Sequence, residues 1–352
     1  MPNRRTTFSK FIIEDLRRRT SPEPGLAALL TDLQIACKFI ASAASRGKLY
    51  PAAAPGGSAP SSIAETANDI MLRESEWGGQ LCGIVSADSD EPIAIPAAFP
   101  SGPYLLTFSA LEGATNLDIG RSAGTIFSVL RAPGGTRTAS AADFLQPGVE
   151  QLAAGFALYG PTSTIVITLG SGVHGFTLDR EIGAYTLTEP DMRIDRATRN
   201  CAVDSANQRT WEPPVRHYVE ECIAGASGGR GDDVALRWAD SLAAETYRIL
   251  VRGGISIYPA DLSDPAKAGR LHLLYEANPI AMIVEQASGS ASTGRSRILE
   301  TAPLSLHQRV PMIFGARDEV ARINGYHEAF DRGETFTFEN PLFNARSLFR
   351  AS

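Results

Sequence analysis

The sequence has no lysine- or arginine-rich run, no cysteine pair at redox or metal-ligand spacing, and no apolar stretch approaching the roughly 20 residues of a spanning helix. With 33 Lys and Arg against 39 Asp and Glu, the net charge is −6. A polyanion would meet repulsion with no basic patch to steer it, so neither nucleic acid nor an anionic membrane is expected as a partner. Cys37, Cys82, Cys201 and Cys222 form no CxxC pair and have no zinc-like histidine spacing. The first residues lack the apolar core of a signal peptide, so a cytoplasmic protein with reduced thiols is expected. What the chain does have is core-forming text. Its 352 residues are 43% hydrophobic and 20% charged, enough for one large core or two coupled domains.

Helical spacing opens the chain. Phe8, Phe11, Ile12 and Leu16 share one face over residues 6–19, and Leu26, Leu29, Leu30, Leu33, Ala36 and Ile40 share another over 25–44. Residues 50–62, rich in Pro, Gly and Ser, read as a mobile loop. Short apolar, β-branched runs follow at 81–85, 104–108, 125–130 and 164–169, each bounded by turn residues, and these predict sheet strands. Trp211-Glu-Pro-Pro predicts a helix entry, 223–233 a loop, 236–251 a helix stopped by Gly253 and Gly254, and 255–258 a strand. Helices, then strands, then a mixture of both argue for a layered α/β to α+β architecture.

Residues 269–281 read Gly-Arg-Leu-His-Leu-Leu-Tyr-Glu-Ala-Asn-Pro-Ile-Ala, and residues 109–118 read Ser-Ala-Leu-Glu-Gly-Ala-Thr-Asn-Leu-Asp. The first segment resembles the signature of class I fructose-1,6-bisphosphatases, where a basic residue, a Tyr and a Glu precede Asn-Pro. The second is similar to that family's Asp-Pro-x-Asp-Gly-Ser-(Ser/Thr)-Asn motif with both aspartates changed. Segments beginning at Gly124, Ala154, Arg252 and Leu306 fall in the family's order. The resemblance implies an α-β-α-β-α sandwich, an N-terminal domain to residue 193, a sugar-phosphate domain over 194–332, and a homotetramer or dimer. It leaves 333–352 as a C-terminal extension.

Hydrolysis of a phosphate monoester needs an activated water and a neutralised leaving oxygen, which magnesium held by carboxylates supplies. The resemblance places the family's Glu-Glu pair on Ala87 and Asp88, its two motif aspartates on Ser109 and Glu112, and its signature Glu on Glu276. A loop Asp falls on Ala64, with Glu65 beside it. Substrate contacts are implied at Gly113, Ala114, Asp204, Asn207, Arg237, Trp238, Tyr258, Arg270 and Tyr275. Asp204 stands where an Asn is expected and Trp238 where a Tyr is expected, and a carboxylate beside a phosphate dianion is repulsive. The family's AMP site aligns with Glu23-Pro24-Gly25 and Pro103-Tyr104, and two phosphate donors are missing.

With two carboxylates lost and two altered in reach, the leading expectation is a cleft that has lost bisphosphatase activity and needs no cofactor. Asp88, Glu112, Asp118, His272 and Glu276 would then do metal-free acid–base chemistry, of isomerase, lyase or cyclase type, on an oxygenated small molecule. Two alternatives stand beside it. One is a non-catalytic pseudophosphatase that binds a metabolite or a partner. The other is a surviving magnesium-dependent sugar phosphatase whose cation is held by Asp88, Glu112 and Glu276.

Overall fold

The computed structural model describes residues 6–20, 23–47, 62–134, 138–228, 230–263 and 268–336. Nearly all of the loop expected at 50–62 and of the extension at 333–352 lies outside them.

The N-terminal half is built on a seven-stranded sheet of β1 (Leu81–Ser86), β2 (Tyr104–Glu112), β3 (Ala123–Arg131), β4 (Ala153–Tyr159), β5 (Ser163–Thr168), β6 (Val173–Asp179) and β7 (Ala184–Glu189), in that spatial order. Only the β1–β2 pair is parallel. β1, β3 and β5 are buried almost throughout, because helices cover both faces of the sheet. On one face lie α1 (Phe8–Arg17), α2 (Leu26–Ala44) and α3 (Ile63–Glu76), whose apolar stripes meet Phe108, Phe127, Ile165 and Phe176. Ser62 caps α3 by accepting from the Glu65 amide at 3.1 Å. A four-residue helix, α4 (Ala141–Phe144), closes the β1 side.

α2 is 19 residues long and, by length and composition alone, apolar enough to cross a membrane. The sequence reading had found no such run. Its Leu29, Leu33, Ala36 and Ile40 are fully buried against the sheet, which accounts for its apolarity as core packing.

The C-terminal half holds β8 (Asn200–Val203), β9 (Ala235–Arg237), β10 (Ile255–Tyr258), β11 (Leu271–His272), β12 (Ser290–Ser292), β13 (Arg309–Val310) and β14 (Met312–Gly315). Five of these form a sheet in the order β12-β14-β10-β8-β9, and β11 pairs with β13. The helices are α5 (Pro213–Ala224), entered through two prolines, α6 (Leu242–Arg252), α7 (Asn278–Gln286) and α8 (Arg317–Asp331). α6 and α7 pack between the two sheets around Ile126, Phe156, Ile249, Ile283 and Phe314. α5 and α8 cover the outer face of the small sheet. Five layers result, helix-sheet-helix-sheet-helix, as the resemblance implied.

One element differs from the sequence reading. Residues 235–237 are an edge strand paired with β8, and α6 begins only at Leu242, capped by Ser241. Asp240 between them has a φ of 51°, a left-handed conformation that ends the strand and turns the chain into the helix.

Candidate active site

A cavity of about 230 Å³ opens in the C-terminal half. Of the residues implied as substrate contacts, Asp204, Asn207, Trp238, Tyr258 and Arg270 line it. Arg270 enters from the residue before β11, with its guanidinium 5.8 Å from the centre of the Trp238 ring, and Trp238 packs at 5.4 Å on Tyr258. The carboxylates near it are balanced. Asp204 Oδ2 accepts from Asn207 Nδ2 at 2.9 Å and lies 3.8 Å from Arg270, while Asp240 Oδ1 accepts from Arg270 Nη2 at 3.2 Å. Asp204 thus meets a guanidinium and an amide, which removes much of the repulsion the sequence suggested. Arg237 is exposed on the edge strand β9 and does not line the cavity. Tyr275 is fully buried, its hydroxyl 3.0 Å from His307 Nδ1.

The second corner of the cleft is built from carboxylates. β2 ends at Glu112, and the left-handed Gly113 (φ 70°) turns the chain into a short 3₁₀ helix over 114–119. A Cβ at residue 113 would lie 3.2 Å from Asn116 Nδ2 and 3.3 Å from Ser241 Cβ, so the turn needs glycine for space as well as for φ. Glu112 reaches across to the start of α6. Its Oε1 accepts from the Leu242 amide at 2.8 Å, and its Oε2 from Ser241 Oγ at 2.7 Å and the Ala243 amide at 3.3 Å. Burial pushes the Glu112 carboxyl up to about 7 and Glu276 adds to the rise, while the hydrogen bonds from Leu242, Ser241 and Ala243 oppose it. Charged hydrogen bonds worth about 1.5–3 kcal/mol each only partly offset the several kcal/mol of taking a carboxylate out of water.

Glu276 sits in the π-helical turn that leads from β11 into α7. Its Oε2 accepts from the His272 amide at 2.7 Å and lies 3.1 Å from His272 Nδ1. Burial raises the Tyr258 hydroxyl most, and the charges of Glu112 and Glu276 add to it, which ties this corner to the cavity wall. Asp88, just past β1, is pushed up by partial burial and then by the charge of Glu65. Asp118 lies on the exposed side of the 3₁₀ helix. The structure therefore pairs Glu276 with His272, puts Glu112 within range of the charge of Glu276 and Asp88 within range of that of Glu65, and leaves Asp118 outside. Asp240 and Ser241 were missed by the sequence reading. The available signal was a Ser ahead of a helix, hidden because the helix was started at 236. Asn116 Nδ2 donates to the Asp240 carbonyl at 3.0 Å, so the Gly113 turn and Arg270 share one support.

At the implied AMP site, the Tyr104 hydroxyl donates to Glu23 at 3.1 Å, and the Arg131 guanidinium pairs with the same carboxylate.

Family models for the fructose-1-6-bisphosphatase N-terminal and C-terminal domains match residues 6–190 and 194–328. A fructose-1,6-bisphosphatase class 1 of Methylacidiphilum infernorum is 49% identical over 99% of this chain and 99% of its own length. The corresponding protein of Hydrogenophilus thermoluteolus is 46% identical over 98% and 97%. The chain belongs to the fructose-1,6-bisphosphatase family. Among solved structures, holo Leishmania major fructose-1,6-bisphosphatase matches with a TM-score of 0.83 and 30% identity, covering 93% of this chain and all of that one.

These relatives overturn the leading expectation of lost activity. At 44–49% identity over nearly the whole chain, they carry the name of the enzyme and not of a pseudophosphatase or a converted cleft. The expectation of no cofactor falls with it, because enzymes of this family depend on magnesium. The family is typically oligomeric and acts on a small molecule.

The residues present fit such an ion. Asp88, raised by burial and by the charge of Glu65, and Glu112, raised by burial and by the charge of Glu276, are oxygen donors in a like-charged setting that a hard divalent cation relieves. Among the described residues no three acidic, His or Cys side chains come together as a metal-binding group, so the expected set of Asp88, Glu112 and Glu276 is not assembled. That suits magnesium held by one or two carboxylates and completed by water and substrate phosphate.

Proposed function

We propose that the chain hydrolyses the 1-phosphate of fructose 1,6-bisphosphate, as a cytoplasmic homotetramer whose two domains divide near residue 193. The observation that carries this reading is the cavity holding Arg270, Asn207 and Tyr258 next to a carboxylate corner, in a chain 49% identical to a named bisphosphatase.

The phosphate that is not cleaved binds Arg270. The guanidinium is 54% exposed and paired with Asp204 and Asp240, and such exposed pairs are worth about 0–1 kcal/mol. A phosphate dianion offering two parallel hydrogen bonds outcompetes them. Asn207 and Tyr258 complete that end, and Trp238 supplies an apolar wall. The phosphate to be cleaved lies at the Gly113–Ala114 turn, where backbone N–H groups serve as donors whatever the side chains are. His272 Nδ1 is held on Glu276, which directs proton exchange to Nε2, towards the departing sugar oxygen. A magnesium ion held by Asp88 and Glu276, with water and substrate phosphate completing its shell, would neutralise charge on the reacting phosphate and lower the pKa of water. Glu112 has both oxygens committed to α6, so it fixes the turn and acts on the ion only through its charge. AMP control is not part of this reading, since a nucleotide phosphate would have to displace Glu23 from Tyr104 and Arg131.

The test is regiochemical. Phosphorus NMR of the reaction with fructose 1,6-bisphosphate should show the C1 resonance replaced by inorganic phosphate while the C6 resonance persists. Equal loss of both resonances, or equal rates on unrelated monoesters, would reject the assignment of Arg270 to the retained phosphate.

A further inference from the structure

A second cavity, of about 240 Å³, lies on the N-terminal half away from the sugar-phosphate wall. Three arginines line it from separate elements: Arg46 at the end of α2, Arg121 after the 3₁₀ helix, and Arg180 in the β6–β7 turn. No Asp or Glu lines it, and none of the three guanidinium groups has an ion-pair partner among the described residues. All three side chains are exposed, and a chain of net charge −6 places three cations and no carboxylate around one hollow, a local reversal of sign that favours an anion. The floor carries hydroxyls. Tyr159 OH lies 2.7 Å from Thr125 Oγ1 and Ser163 Oγ lies 2.7 Å from Tyr185 OH.

Two connections run from this hollow to the candidate active site. Arg121 donates its amide to the Asn116 carbonyl at 2.8 Å, Asn116 donates to the Asp240 carbonyl at 3.0 Å, and Asp240 holds Arg270. Thr125 Oγ1, beneath Tyr159, donates to the Ala110 carbonyl at 2.6 Å, two residues before Glu112 on β2. We propose that the Arg46–Arg121–Arg180 cavity binds a small phosphorylated metabolite carrying at least two negative charges, and that occupancy shifts the Gly113–Arg121 turn and with it turnover. Arginine suits this ligand because its planar fork matches phosphate oxygens. The binding half stands by itself, whereas the effect on turnover rests on the hydrolase reading.

Calorimetric titration of the full chain with inorganic pyrophosphate, at fixed ionic strength, separates the two. We expect wild type to bind, the Arg121→Gln, Arg180→Gln double variant to lose at least tenfold in affinity, and Arg270→Gln to change it less than threefold. Arg46→Gln alone, with an unchanged thermal midpoint, should lose at least threefold and guards against a misfolded double variant. Absence of binding by wild type, or loss only in Arg270→Gln, would overturn the site. With fructose 1,6-bisphosphate as substrate, saturating pyrophosphate should change kcat or KM at least twofold in wild type. The same change in the double variant would overturn the coupling while leaving the hydrolase reading intact.

Discussion

The two ends of the candidate cleft keep different things. At the sugar-phosphate end, Arg270 is half exposed and paired with two carboxylates, Asp204 and Asp240, that a phosphate can replace. At the carboxylate end, Glu112 is bound into the start of α6 and Glu276 into the backbone of β11, each by short hydrogen bonds to main-chain N–H groups. In the proposed reading, recognition at the first end rests on one cation free to change partners. Chemistry at the second would then rest on carboxylates that the fold holds in place. A site can therefore exchange short acids for longer ones or lose a carboxylate and still keep its negative corner, provided that the remaining oxygens are fixed.

The sharpest way to break this comparison is Glu276→Gln. It keeps the size of the side chain and removes both the charge and the anionic partner of His272, so kcat for phosphate release should fall about 1,000-fold with KM nearly unchanged. A loss confined to KM would move Glu276 to the binding end.

Glu112 gives the next largest effect, in stability. Its carboxyl sits at about 7 in the folded chain against an ordinary 4.5. The folded state therefore holds the extra proton between those values, and stability should fall as pH rises from about 4.5 to 7, by roughly 3 kcal/mol at most. Denaturant unfolding across that window should show the slope in wild type and a flatter one in Glu112→Gln. Millimolar magnesium should also flatten it, because a cation beside Glu276 favours the charged form of Glu112.

Arg270→Ala should raise KM for fructose 1,6-bisphosphate by about 30-fold, near 2 kcal/mol, with little change in kcat. Steady-state kinetics on the bisphosphate check this, and an equal fall in kcat would show that the arginine also serves the reacting phosphate. The smallest effect belongs to Asp204→Asn, which removes a carboxylate from beside the phosphate. It should lower KM about threefold, and a higher KM would mean that Asp204 orders Asn207 more than it repels substrate.

The layered fold was largely legible because the sheet strands are continuous apolar, β-branched runs buried on both faces, and α2 carries a clean helical stripe. The 236–251 segment was misread because Leu236 fits that stripe by spacing alone, while the break is made by the left-handed Asp240. The cavity residues Asn207, Tyr258 and Arg270 came from motif resemblance and do line one hollow. What spacing cannot show is a contact across 130 residues, such as the Glu112 carboxylate on the Leu242 amide. Nor does local text show Asp204 neutralised by Arg270. Judging activity from single lost ligands at 87 and 109 gave too much weight to a few side chains, against a likeness that runs the length of the chain.

The central claim is that this altered carboxylate set still supports magnesium-dependent hydrolysis. The most direct measurement is phosphate release from fructose 1,6-bisphosphate by the full chain with magnesium, then with excess chelator, in wild type and Glu276→Gln. We expect turnover in wild type that chelator stops and the substitution nearly abolishes. No release with magnesium or manganese, or release indifferent to chelator, would contradict it.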